Sequence, residues 1–294
     1  MERIGYSDTK KSKINFLVTG SARLDIYRKG GDSLQGRYHY YRMHPLSLTE
    51  LNIDSGREST DLMNFGGFPE PFFSQNITHW RRWQKERLER VVFEDVRDLE
   101  NLKNIQLLEE LAIELPRRVG SPLSIKSLRE DLNVAHETAE HWTTILEKVY
   151  YCFRIPPFGS PRIRAVKKEQ KLYLWDWSLC ENIGARFENM VASHLLKFCH
   201  YQEDTLGHRM ELRFLRTKDS KEIDFVILQD GKPLFAVECK TGEQALAKSI
   251  SYFKERTPIP MFYQVHMGSK DYVDARTGAR VLPFWKFCKE LGLP

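Results

Sequence analysis

Glu222-Ile223-Asp224-Phe225-Val226 and Val237-Glu238-Cys239-Lys240, joined through Gln229-Asp230-Gly231-Lys232-Pro233, decide the reading of this chain. Both flanking runs are apolar enough for strands, and the Asp-Gly pair between them is a hairpin-turn signal. Side chains alternate along a strand, so Glu238 and Lys240 share a face. Asp224 joins that face only under one register. A two-residue turn at Asp230-Gly231 pairs Asp224 with Val237, on the wrong face. A three-residue loop, Asp230 to Lys232, pairs it with Glu238. Convergence therefore requires an odd-length loop or a bulge. Carboxylates and an ammonium gathered in this way suit phosphodiester hydrolysis. The acids hold one or two Mg²⁺ ions that activate water and neutralise charge on the scissile phosphate, and a neighbouring lysine holds the water or the phosphate.

Working outward, residues 184–201 read as a helix with Phe187, Val191, Leu195 and Phe198 as its apolar stripe. Glu188 stands beside that stripe, within reach of a metal held by the strands. The candidate catalytic set is Glu188, Asp224, Glu238 and Lys240, and the candidate metal ligands are Glu188, Asp224 and Glu238. A plainer reading competes: Asp224 and Glu238 solubilise an edge strand, and Lys240 is a surface lysine. Residues 243–254 read as a further helix and 260–266 as a further strand, which makes 181–294 an α/β domain.

The order helix-Glu, strand-Asp, Glu-x-Lys resembles the PD-(D/E)xK nuclease superfamily of restriction endonucleases and archaeal Holliday-junction resolvases. All four residue types stand here in that order. The resemblance implies a restriction-endonuclease-like domain, a Mg²⁺ cofactor and DNA as substrate. A relative that keeps the site without cleaving is the alternative.

Residues 79–180 read as mostly helical. Leu107, Leu108, Leu111, Ala112 and Leu115 recur at helical spacing, helices follow at 124–132 and 135–148, and strands at 150–155 and 171–175 flank a Pro/Gly loop. That order is a winged helix-turn-helix. Its recognition helix would begin Ala135-His136-Glu137-Thr138-Ala139-Glu140, and two early glutamates suit a phosphate surface poorly. Better DNA-contacting candidates are Arg117, Arg118, Lys126 and Arg129, with Arg162, Arg164, Lys167 and Lys168 on the wing; their plain reading is a solvated face. Winged helices also connect proteins, so both partner classes stay open.

In residues 1–78, Ile14-Asn15-Phe16-Leu17-Val18 reads as a buried strand ended by Thr19-Gly20-Ser21, and Tyr38 to Tyr41 as another. Pro45-Leu46-Ser47-Leu48-Thr49-Glu50-Leu51 reads as a helix start, with Ser47 as cap and Glu50 three residues on. With Gly66-Gly67-Phe68-Pro69-Glu70-Pro71-Phe72 and the stretch from Leu123 through Pro156-Pro157, these runs resemble a prokaryotic AAA-type ATPase family with a winged helix and a nuclease-like C-terminal domain of unknown function. The resemblance implies an ATP-sensing role for Thr19 and Ser21, and a phosphate-sensing or neighbour-reaching role for Arg37. The sequence holds no G-x-x-x-x-G-K-[ST], so nothing cradles the phosphates. No apolar strand ending in Asp-Glu precedes Ile14 either. The expectation is an N-terminally truncated family member: ATP enters only through the resemblance, no ATPase activity is expected from this chain alone, and a partner chain could complete the core.

The 294 residues allow two or three domains, and 41% hydrophobic with 29% charged residues describes a soluble globular chain. No apolar run approaches the ~20 residues of a membrane helix, and no signal peptide opens the chain. The five cysteines are scattered without a C-x-x-C pair, which argues against structural zinc and a disulfide framework and for the cytoplasm. A net charge of +5 permits a polyanionic partner without demanding one. The expected fold class is α/β multidomain: a partial AAA-type α/β core (1–78), a helical linker with a winged helix-turn-helix (79–180) and a restriction-endonuclease-like α/β domain (181–294). The expected function is Mg²⁺-dependent DNA cleavage, with a non-catalytic DNA- or protein-binding module as the alternative.

Overall fold

A computed structural model of the chain describes residues 17–20, 39–96, 104–159 and 169–294. Leu17 and Val18 are exposed and in no strand. Residues 14–16 of the strand expected there, with Ser21, Arg37, Arg162, Arg164, Lys167 and Lys168, lie outside the described residues. His39 to Tyr41 form no strand either.

The helix expected to start at 47–51 is a single turn. Its capping box does form: Ser47 N donates to Glu50 Oε2 (3.0 Å) and Glu50 N to Ser47 Oγ (3.3 Å). The turn stops at Asn52, whose φ is 54°. Tertiary partners explain the stop. Leu48 is fully buried and its N–H donates to His194 Nε2 (3.1 Å), while Glu50 pairs with Lys197. The strap 39–53 is tied along one long helix, and Arg42 adds bonds of 2.7 Å to both Glu203 and Asp204.

Helices α1 (Gly56–Phe65), α2 (Pro69–Ser74) and α3 (Ile77–Glu89) follow, capped where sequence supplies a cap: Ser55 accepts from Glu58 N, and Asn76 from Thr78 N and His79 N. α3 runs on as a π-helix, Arg90–Val96. Then come α4 (Ile105–Glu114), α5 (Ile125–Leu132, capped by Ser124) and α6 (His136–Lys148), with Asn133 at φ 51° turning the chain between the last two. Strands β1 (Cys152–Ile155) and β2 (Lys171–Leu174) pair antiparallel.

The 24-residue helix α7 (Ile183–Leu206) is started by the Asn182 side chain and ended at Gly207, φ 73°. It lies on a mixed sheet of β3 (Met210–Arg216), β4 (Glu222–Gln229), β5 (Lys232–Lys240), β6 (Phe262–His266), β7 (Tyr272–Val273) and β8 (Arg280–Pro283), in the order β3-β4-β5-β6-β8-β7. β5, β6 and β8 run parallel; the remaining pairings are antiparallel. Helices α8 (Lys248–Lys254) and α9 (Phe284–Glu290) complete the described α-helices. The chain is thus a mixed α/β protein, and among the described residues no helix is long and apolar enough to cross a membrane.

Both faces of the sheet are covered, which is why β4 and β5 read as near-continuous apolar runs. Phe225, Ile227, Phe235 and Val237 pack with Phe187, Val191 and Leu195 of α7 in a first core that also takes in the helices from Leu48 onward. Val226, Leu228 and Ala236 pack with Ile250 and Phe253 of α8 in a second. α8 is shorter than the helix expected over 243–254. Gln264 accounts for this: its Oε1 accepts from Ala247 N (2.8 Å) and its Nε2 donates to Gln244 O and Ala245 O (3.3 Å each), holding that backbone out of a helix.

The hairpin between β4 and β5 uses both devices that set a register. Asp230 (φ 51°) and Gly231 (φ 79°) make a two-residue turn between Gln229 and Lys232, as a type I′ turn requires. A shift follows: Leu228 pairs with Pro233 but Ile227 with Phe235, so Leu234 is an extra residue. Beyond it Val226 faces Ala236 and Phe225 faces Val237, where the pairing ends, one residue short of Asp224 and Glu238. A second shift lies on the other edge of β4. Arg213 pairs with Val226 and Leu215 with Ile223, so Phe214 alone faces both Asp224 and Phe225.

Candidate functional site

The acidic residues converge on Lys171. Its backbone is fixed in β2 opposite Ile155, with an isolated bridge to Pro122 on its other side. Its side chain is fully buried and passes Phe214, with Nζ 5.6 Å from the ring centroid. Nζ donates to Glu188 Oε1 (3.1 Å), pairs with Glu222 Oε1, and lies 3.8 Å from Asp224 Oδ1. Burial pulls the lysine pKa down, but the carboxylates of Glu188, Asp224 and Glu222 outweigh it and hold the ammonium charged, well above its ordinary range.

Glu188 reaches this point from the second turn of α7. Tyr173, two residues along β2 from Lys171 and on the same face, donates its hydroxyl to Glu188 Oε1 (2.7 Å). The loop at Gly120 closes over the carboxylate; a Cβ there would lie 3.1 Å from Glu188 Oε2. Burial first, then the charge on Asp224, push Glu188 up to about 7, against the pull of Lys171 and Tyr173. Lys171 and Glu188 thus both shift upward, which for an isolated ion pair would conflict. The cause is the acid surplus: three carboxylates surround Lys171, and Arg216 (3.1 Å from Glu222) is the other cation on them. The ammonium keeps its proton, and Glu188 takes one up more readily than an ordinary glutamate.

Asp224 sits at the seam between β4 and β5, where its Oδ2 accepts from Cys239 N (2.8 Å). Alternation along β5 carries Cys239 to the first core with Val237, and Glu238 and Lys240 to the side of Ala236. There Glu238 Oε1 accepts from Lys240 Nζ (2.6 Å), while the buried Glu238 Oε2 has no partner among the described residues. Burial first, then the charge on Asp224, push Glu238 up to about 8 against the pull of Lys240.

The four expected residues therefore fall into two groups with Asp224 between them. Glu188 and Asp224 surround the Lys171 ammonium; Glu238 and Lys240 pair with each other. Among the described residues no three His, Cys, Asp or Glu side chains are grouped to hold a metal ion. The space between Glu188, Glu222 and Asp224 is filled by an ammonium, so the set Glu188, Asp224 and Glu238 does not fit Mg²⁺ as arranged. The sequence reading had passed over Lys171 and Tyr173. The one signal for them was a Lys-x-Tyr pair in a short apolar strand, which names no partner.

The candidate DNA-contacting residues that are described each stand beside an acid. Arg117 pairs with Glu114 (2.7 Å), Arg118 with Asp131, and Lys126 and Arg129 each approach Glu130 at 4.0 Å. On α6, Glu140 and Glu147 both bind Arg154 (2.8 Å each). Thr19 is described and exposed.

Family models match three successive stretches of the chain. An AAA domain family matches residues 4–52, a domain of unknown function (DUF8612) matches 56–189, and another (DUF4143) matches 183–287. The first and last support an AAA-type ATPase-like family with a C-terminal domain of unknown function. The uncharacterized protein MJ1544 of Methanocaldococcus jannaschii is 24% identical in an alignment covering 94% of this chain and 69% of that protein. No solved structure gives a significant match.

Proposed function

We propose that this chain is a non-catalytic connector of an AAA-type ATPase-like protein. In this reading a partial AAA-type core (1–78) leads into a winged helix-turn-helix (79–180) and a restriction-endonuclease-like domain (181–294) that docks on protein. The AAA domain match suggests the ATPase-family membership. Nucleotide binding is assigned to no residue, because the sequence holds no phosphate-cradling G-x-x-x-x-G-K-[ST].

The observation that carries the reading is the fully buried Lys171 ammonium among Glu188, Glu222 and Asp224. It supports a structural use of residues that a nuclease would give to metal. Protein is favoured over DNA as partner because Arg117, Arg118, Lys126 and Arg129 each stand beside an acid, and α6 begins with Glu137 and Glu140. Incubation with linear, branched and supercoiled DNA in Mg²⁺ or Mn²⁺ tests it. The chain and its Asp224→Ala and Lys240→Ala variants are expected to be equally inactive, with little DNA affinity at low salt. Metal-dependent cleavage that Asp224→Ala abolishes would overturn it.

One observation favours a second reading, a Mg²⁺-dependent deoxyribonuclease. Asp224 Oδ2 accepts from the backbone N–H of Cys239, next to Glu238, and Glu238 Oε2 is a buried acceptor without a donor among the described residues. That reading requires Lys171 to leave the acids, and the same cleavage assay decides it.

A further inference from the structure

We infer that α3 carries a contact through which two copies of this chain pair about a two-fold axis, ridge against ridge and antiparallel. The contact lies apart from the acids around Lys171 and does not depend on what they do. None of the 13 residues of α3 is buried. Its inner side is nonetheless fixed: Trp80 Nε1 donates to Ser178 Oγ (3.0 Å), Gln84 Nε2 to Asp176 Oδ2 (2.6 Å), and the Arg87 guanidinium lies 4.5 Å from the centroid of the Phe68 ring. The outer side presents Ile77, Arg81, Lys85 and Glu89, and the π-helix continues the row to Phe93. All five are exposed, Ile77 by 53% and Phe93 by 39%. Residues four apart form a ridge on a helix, and ridges are what pack against a second helix.

The ridge is complementary to itself. Both ends are apolar, the N-terminal half is basic and the C-terminal half acidic. An antiparallel copy centred on Lys85 sets Ile77 against Phe93 of the second copy and Arg81 against its Glu89, and the two-fold makes each contact twice. Among the described residues Arg81 pairs with no acid, and Glu89 has only Lys85, at 3.9 Å. Beside Glu89 lies an open cavity of about 530 Å³ lined by Glu86, Glu89, Arg90, Phe93 and Glu109. Three carboxylates against one guanidinium leave it acidic. Carboxylates beside an aromatic wall suit an incoming arginine, which is the part Arg81 of the second copy plays. The two Lys85 ammoniums meet near the axis, each beside Glu89 of its own chain. One helix ridge is a small interface, so the dimer is weak, and its exposed charges make it sensitive to salt.

The test is sedimentation velocity of the full chain at rising protein concentration, in low and in high salt. The native chain is expected to pass from monomer to dimer and stop there, less readily in high salt. Arg81→Glu and Glu89→Arg should each weaken dimerisation by about tenfold or more, because like charges then meet twice per dimer. Arg81→Glu together with Glu89→Arg should regain it, since the exchange restores both pairs. Each position is exposed, so the dilute variants should unfold at the native Tm. Should a charge variant be insoluble, Ile77→Ser takes its place and should weaken the dimer likewise. A native chain that stays monomeric at every concentration overturns the inference. So do assembly beyond the dimer, a dimer that no single variant weakens, and a double variant that associates no better than the singles. None of these outcomes bears on the connector reading, which the cleavage assay decides.

Discussion

Lys171 Nζ lies 3.1 Å from Glu188 Oε1, joining the hairpin strand β2 to the long helix α7 through a charge that no solvent reaches. Removing the cation of such a buried group is costly, on the order of 3–5 kcal/mol, because the acids are left uncompensated, whereas loss of Glu188 alone leaves Nζ with Glu222 and Asp224. The pair therefore fastens the helical segment to the sheet domain. Replacing both members by apolar groups is the cheaper change in such cases. Retention of the charges is thus no requirement of stability alone.

The same two elements meet at Asn189, one residue further along α7. Its amide accepts from Leu174 N (2.8 Å) and donates to Leu174 O (2.7 Å), closing the end of β2. Asn189→Ala takes the acceptor from Leu174 N and leaves Leu174 O only the 3.5 Å bond from Ser193 Oγ, at a cost of roughly 1–3 kcal/mol for the buried N–H. Urea unfolding should show it; a midpoint equal to the native one would mean that water replaces the amide.

Gly67 is expected to tolerate no side chain. A Cβ there would lie 2.6 Å from the Trp177 ring and 2.7 Å from Leu46 O, and Leu46 N already donates to Gly67 O (2.7 Å). Gly67→Ala should cost about 1–3 kcal/mol or more through overpacking. Gly242→Ala, with nothing within 4 Å, should be near neutral by comparison. Equal Tm values for the two variants would refute the packing argument.

Stability should fall on acidification below the ordinary histidine range. His194 is held neutral: its Nε2 accepts from Leu48 N (3.1 Å), so Nδ1–H donates to Met190 O (2.8 Å). His44 Nε2 and His200 Nδ1 share one bond of 2.8 Å. Burial first, with nearby cations added, pulls His44 down to about 2 and His194 and His200 to about 4. Between about pH 6.5 and 4 the unfolded chain therefore binds protons that the folded chain refuses. The unfolding free energy drops by up to ~1.4 kcal/mol per pH unit for each such histidine. Unfolding of His44→Met with His200→Leu between pH 4 and 7 should show a shallower slope; an unchanged slope would place the acid sensitivity elsewhere.

The alkaline side carries the opposite sign. Glu238 is raised to about 8 by burial and by Asp224, and Glu188 to about 7. From about pH 4.5 upward the folded chain holds protons that the unfolded chain has released. Their contribution is present at low pH and is lost as pH rises through 7 to 8. Glu238→Gln should flatten this limb and be more stable than the native chain at pH 9. A Glu238→Gln protein less stable at pH 9 would show that the unpartnered oxygen has a donor in solution.

The β4–β5 hairpin was legible in sequence, because it is local. Asp230-Gly231 specifies a tight turn by backbone conformation, and the face argument showed that Asp224 meets Glu238 only with an odd loop or a bulge. The structure takes the tight turn and then the bulge at Leu234. Choosing between them required knowing what covers both faces. The turn at 47–51 was misread as a helix start for a similar reason: its capping box is local, but the partners that stop it, His194 and Lys197, are remote in sequence.

By itself, the sequence determined the β4–β5 hairpin and the order of Glu188, Asp224, Glu238 and Lys240, since each rests on neighbours along the chain. Only the tertiary structure decided what those acids face. Lys171 comes to them from another layer, and nothing in a strand's own periodicity says which charge its buried lysine will neutralise.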